Sequence, residues 1–124
     1  MLPEELKYTK EHEWVKFDGD FIFIGITDYA QGELGDIVFV ELPSIGEIFS
    51  ENDTIGTIEA VKTVADIYCP LPGEVVELNT EIENSPELIN SSPYKDGWLI
   101  KLKVNPESKT DSLLDYKQYK EIIL

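Results

Sequence analysis

Two short apolar runs, Trp14–Phe17 and Phe21–Ile24, flank Asp18–Gly19–Asp20. An Asp-Gly step between strand-like runs predicts a β-hairpin. Asp36–Leu42 reads as another strand, stopped at Pro43, because proline brings no N–H to a ladder. Further strands are predicted over Thr54–Glu59, Val64–Tyr68, Gly73–Leu78 and Trp98–Val104. In the last of these, Trp98, Ile100, Leu102 and Val104 alternate with Leu99, Lys101, Lys103 and Asn105, the two-residue period of a half-buried strand.

Helical signals are few and short. Thr27 or Asp28 can cap a helix over Tyr29–Leu34, with Gly35 as a left-handed stop. Ser85 followed by Pro86 predicts a cap and first turn running through Ile89. Near the C-terminus, Asp111 or Asp115 can cap a segment carrying Leu113, Leu114, Tyr119, Ile122 and Ile123. Many short strands separated by turns predict a mainly β sandwich or small barrel with peripheral helices. Gly46–Ile55 also aligns with Gly73–Ile82 at an offset of 27 residues, sharing Gly, Glu, an Ile/Val, Asn and Ile. Two similar halves of a sandwich would leave such a trace, and so would chance similarity of two strand–turn units.

Length and composition narrow the class. A chain of 124 residues fits one domain, large enough to bury roughly two-thirds of its unfolded surface. A hydrophobic content of 42% suits a globular protein. There are 25 acids against 10 bases, all lysine, for a net charge of −15. Such a surface repels phosphate backbones and anionic lipid, and favours basic partners or cationic cargo; solubility alone would also account for it. Cys69 is the single cysteine, so no internal disulfide forms, and His12 is the single histidine. The longest apolar run, Phe21–Ile26, is too short to span a bilayer. The first residues are charged from Glu4 onward without a signal-peptide core, so the chain is expected to be soluble and intracellular.

The pattern of bases singles out one residue. Between Lys16 and Lys95 stand sixteen acids and one base, Lys62. Taken without context, Lys62 reads as an ordinary surface lysine paired with Glu59 or Asp66. Its place changes that reading, for it lies between the predicted strands Thr54–Glu59 and Val64–Tyr68. If those form a hairpin, Ala60–Thr63 sits near the tip, where a side chain projects toward any enzyme that would modify it. The tip has none of the Gly, Asn or Asp that hairpin turns usually carry.

Glu59–Ala60–Val61–Lys62–Thr63, with Gly56 upstream, resembles the lipoyl-attachment motif of glycine cleavage H proteins. Tyr8–Trp14, Ile24–Gln31, Leu34–Pro43, Pro72–Glu77, Pro86–Asn90 and Gly97–Lys101 resemble further segments of that family, and the likeness runs from about Leu6 to the C-terminus. The resemblance implies a lipoyl/biotinyl-type barrel-sandwich hybrid in which residues 1–124 form one lipoyl-carrier domain, with 106–124 as a C-terminal helical extension. It also implies lipoate as cofactor, joined by an amide to Lys62, with Glu59 and Val61 recognised by the modifying enzyme. Glu13 and Asp66 are the expected contacts of the loaded arm. Tyr29 stands where some relatives carry histidine, so a histidine contact does not transfer, and His12 is expected to be structural.

The implied function is that of a non-catalytic carrier in glycine catabolism and one-carbon metabolism. A pyridoxal-phosphate glycine decarboxylase (P protein) loads an aminomethyl group onto the arm. A tetrahydrofolate-dependent aminomethyltransferase (T protein) unloads it, and a dihydrolipoamide dehydrogenase (L protein) reoxidises the dithiol. A lipoyl ligase or octanoyltransferase would be the remaining partner, in the cytoplasm of a bacterium or the mitochondrial matrix of a eukaryote. An H-like lipoate carrier for lipoyl relay or sulfur metabolism would look much the same around Lys62. A biotin carrier would typically place Met on both sides of the lysine, where this chain has Val61 and Thr63. With one histidine, no metal-ligand cluster and no glycine-rich phosphate loop, independent catalysis has no motif to rest on.

Overall fold

The computed structural model describes residues 3–124. Among these residues, nine strands form two antiparallel sheets. The first comprises β1 (Lys7–Tyr8), β2 (Glu13–Asp18), β3 (Phe21–Ile26), β5 (Ile48–Phe49), β8 (Gly73–Leu78) and β9 (Ile100–Val104), in the order β1-β2-β3-β9-β8-β5. The second comprises β4 (Ile37–Glu41), β6 (Thr54–Ala60) and β7 (Val64–Tyr68), in the order β4-β6-β7. At the periphery the described residues form four helices: α1 (Asp28–Leu34), α2 (Glu81–Asn84), α3 (Leu88–Ser91) and α4 (Tyr116–Ile123). No helix among the described residues is long and apolar enough to cross a membrane.

The first hairpin forms as the Asp-Gly signal predicts. Asp18 pairs with Phe21, leaving Gly19 and Asp20 as the loop. Gly19 takes φ +61°, the glycine-first arrangement whose twist matches that of the flanking strands. Alternation along β2 and β3 sends Val15, Ile22 and Ile24 into a core shared with Ile58, Ile67, Val75, Ile100 and Leu102. Trp14 goes to a second cluster with Leu6, Tyr8 and Tyr119, which α4 closes. Trp14 pairs directly with Gly25, and its indole N–H donates to the Pro93 carbonyl at 2.9 Å. A Cβ at residue 25 would lie 2.5 Å from the indole ring. Gly25→Ala is therefore expected to cost about 1–3 kcal/mol through overpacking, seen as a lowered midpoint in denaturant unfolding.

Several elements depart from the sequence reading. The two-residue strands β1 and β5, and the helix α2, leave no periodic signal. The alternation assigned to Trp98–Val104 holds only from Ile100: Leu99 is fully buried in the core and its N–H donates to the Ile24 carbonyl at 2.8 Å, outside the strand. Trp98 instead packs edge-on against Phe23. Ser85 and Pro86 form a turn, their carbonyls accepting from Leu88 and Ile89, and α3 begins only at Leu88. Gly35 does stop α1, but at φ +79° and ψ −154°, a region outside the left-handed helix that is essentially restricted to glycine. Asp115, not Asp111, caps α4, in a reciprocal box with Gln118; Leu114 lies before the helix, bridged to Tyr8. The two copies of the sequence repeat meet as neighbours, with Ile48 opposite Glu74 and Phe49 opposite Gly73. Beyond that they diverge, since Ile55 enters β6 while Ile82 enters α2.

Candidate functional site

Lys62 lies at the tip of the β6–β7 hairpin. Glu59 pairs with Val64, and the Ala60 N–H donates to the Thr63 carbonyl at 2.8 Å, which leaves Val61 and Lys62 as the two loop residues. Positive φ among the described non-glycine residues is confined to His12 and Asn52, so this is not a primed turn of the kind that calls for Gly or Asn. A distant brace holds it instead: the Val61 N–H donates to the Asp36 carbonyl at 3.0 Å. Val61, Lys62 and Thr63 are exposed, as is Glu59 at the end of β6, whereas Ala60 is buried.

Below the tip, a cleft of about 300 Å³ opens between the Glu11–Glu13 segment, α1 and β7. Ile26, Leu34, Ile58 and Ile67 give it an apolar floor, and Glu13 and Asp66 both line it although 53 residues separate them. Asp66 is exposed, on β7 opposite Thr57. Glu13 is only 3% exposed. Its Oε1 accepts from the Thr9 hydroxyl at 2.6 Å and its Oε2 from the Tyr68 N–H at 3.0 Å. Burial pushes its pKa up to about 7, against the opposing pull of those two hydrogen bonds. Each carboxylate oxygen keeps a lone pair for a further donor. Tyr29, also lining the cleft, donates its hydroxyl hydrogen to Glu33 at 3.0 Å.

Residues without a site role in the sequence reading hold this wall in place. His12 takes φ +70°, its carbonyl accepts from the Thr27 N–H at 3.0 Å, and its Nδ1 lies 2.8 Å from the Tyr119 hydroxyl. That hydroxyl is 2.7 Å from Thr27 Oγ1, which in turn caps α1 by accepting from the Ala30 N–H at 3.2 Å. Burial lowers the pKa of His12, which suits a neutral imidazole in this chain of hydrogen bonds. Helix α4 is thereby tied to the segment that carries Glu13. Tyr119 showed in the sequence only as an apolar position. Cys69, fully buried, donates its S–H to the Leu71 carbonyl, and burial pushes its thiol up to about 12; it has the character of a core residue, not a nucleophile.

Two β-sheets packed face to face, with short helices at the edges and one at the C-terminus, make a fold of the lipoyl/biotinyl carrier type. The family model described as "Glycine cleavage H-protein" matches residues 6–124. The chain is 58% identical to the glycine cleavage system H protein of Staphylococcus carnosus (strain TM300) and 57% identical to that of Staphylococcus haemolyticus (strain JCSC1435), in each case over 98% of this chain and 97% of the relative. The crystal structure of a glycine cleavage system H protein from Mycobacterium marinum superposes with a TM-score of 0.88 at 36% identity, covering 97% of both chains. The chain belongs to the glycine cleavage H-protein family.

Proposed function

We propose that this protein is the lipoyl carrier of a glycine cleavage system, with the lipoyl group on Lys62. The observation that carries the reading is the position of Lys62, exposed at a braced hairpin tip beside a cleft lined by Glu11, Glu13, Glu33 and Asp66. The family bears its lipoyl group on a lysine and works with the P, T and L proteins and with lipoylating enzymes. When attached, the group supplies a dithiolane that can take up an aminomethyl unit and be reoxidised. The protein's own residues do the rest. The tip presents Lys62 to an enzyme's active site, and tethering raises the local concentration of the arm at each docked partner. In the cleft, the apolar floor excludes water while Glu13 and Asp66 offer acceptors to a terminal ammonium. No residue of the chain is assigned a catalytic step.

The function is tested by incubating the lipoylated protein with glycine and a purified P protein. Intact mass should rise by one aminomethyl unit, and subsequent addition of T protein and tetrahydrofolate should remove it. A protein that takes up lipoate but no aminomethyl group would point to lipoyl relay. Glu59 and Val61, both exposed beside Lys62, are the residues we assign to recognition by the modifying enzyme. Glu59→Ala is expected to slow lipoylation and to shift thermal stability by no more than about 0.5 kcal/mol, as for exposed substitutions generally. A large fall in melting temperature would make Glu59 structural.

A further inference from the structure

Strand β4 carries a bulge beside the lysine hairpin. Ile37 pairs with Ala60 and Phe39 with Glu59, so one extra residue is taken up between them. A bulge breaks strict alternation, and here Val38 and Phe39 both face solvent, 53% and 50% exposed, between buried Ile37 and Val40. Phe39, Glu59 and Val64 are successive partners across β4, β6 and β7. They form one row on the outer face of the sheet, the last row before the tip that is paired across all three strands. Val61 and Val64 are 71% and 59% exposed. Scattered apolar side chains on a surface need no explanation, but here four exposed ones stand on the strands and loop around one lysine. Glu59 stands within this group, between Phe39 and Val64, and Asp36, Glu41 and Asp66 are exposed around it.

We infer that Val38, Phe39, Val61 and Val64 form the surface gripped by the enzyme that acylates Lys62, through an apolar contact ringed with basic side chains. The inference rests on the reading of Lys62 as the attachment site. It concerns that enzyme in particular because the amide forms at Nζ. The neutral amine attacks the carbonyl carbon of a lipoyl adenylate, the C–O bond to AMP breaks with its electron pair leaving on the phosphate, and the amine loses a proton to solvent. The reacting carbonyl therefore stands no farther from the hairpin than one lysine side chain, and the rim of the enzyme's cleft covers the row. Partners that act on the dithiolane meet it at the far end of the arm.

The probe is a purified lipoate–protein ligase with ATP and lipoate, acting on the full-length unmodified protein. The double variant Val38→Ser, Phe39→Ser should raise KM for the carrier about tenfold with kcat little changed, the size of loss typical of a central apolar contact. Phe39→Leu should restore most of the loss. Ile48→Ser, 78% exposed but on the other sheet, should leave both constants unchanged. Rising salt should raise KM for the wild type by screening the acids in and around the patch. An unchanged KM in the double variant, with peptide mapping still placing lipoate on Lys62, overturns the surface. Wild-type protein acylated elsewhere overturns the attachment reading instead. If the double variant melts well below wild type, Phe39→Gln alone decides by the same KM criterion. A wild-type dimer that the double variant dissolves assigns the patch to a second copy of the chain and overturns the inference.

Discussion

Lys62→Arg is expected to abolish lipoylation outright. Amide formation needs a nitrogen that can shed its proton. A lysine ammonium does so within reach of neutral pH, whereas a guanidinium stays protonated above about pH 12. The variant keeps the charge and, being exposed at a tip, should keep its thermal stability, so a loss reports chemistry and not folding. Nine other lysines act as internal controls. Two of them have their ammonium groups over aromatic rings, Lys101 at 4.7 Å from the Phe21 centroid and Lys120 at 5.7 Å from that of Tyr116. Intact mass after co-expression with a lipoate ligase should show one lipoyl group on the wild type and none on the variant. Lipoate found on another lysine of the variant would overturn the assignment.

The sequence made the strands around Lys62 legible because their apolar runs are long enough to show a pattern and are bounded by turn residues. The turn at the tip was not legible in its chemistry. Its stability comes from the Asp36 carbonyl, and local composition carries no trace of a bond made to a residue 25 positions away. Two-residue strands such as β1 and β5 are likewise set by their partners. Glu13 shows the sharper limit. Nothing in the local pattern Glu11–His12–Glu13–Trp14 signals burial, yet Glu13 is buried, accepting from the Thr9 hydroxyl and from the Tyr68 N–H at the end of β7. The tie between His12 and Tyr119 spans 107 residues. That Glu13 and Asp66 share one cleft follows from how the two sheets meet, which no window of sequence contains.

Glu13→Gln is expected to trade function for stability, and pH should separate the two. A carboxylic acid whose folded pKa stands at about 7, against 4.5 as the ordinary value, binds its proton more tightly when folded. The linkage then runs in one direction: stability from this group is fully present below about pH 4.5 and is lost as pH rises through 7. The shift corresponds to about 3 kcal/mol, an upper figure for a site that can relax. Gln removes the titration while keeping an acceptor for the Tyr68 N–H. The variant should therefore match wild type near pH 5 and exceed it near pH 8 in denaturant unfolding. Function should move the other way. A loaded arm ends in an ammonium, and its arrival in the cleft favours the ionised carboxylate, so wild-type retention should strengthen as pH rises through about 7. A charge-assisted bond in such a site contributes about 1.5–3 kcal/mol, so its loss should speed release of the aminomethyl group about tenfold to a hundredfold. The measurement is the lifetime of the methylamine-loaded protein without partners, across pH 6 to 8, in wild type, Glu13→Gln and Asp66→Asn. Because Glu13 is buried and Asp66 exposed, added salt should erode any effect of Asp66→Asn more than that of Glu13→Gln. Equal lifetimes in all three proteins would mean that neither carboxylate holds the amine, and the burial of Glu13 would then serve only the Tyr68 amide and the Thr9 hydroxyl.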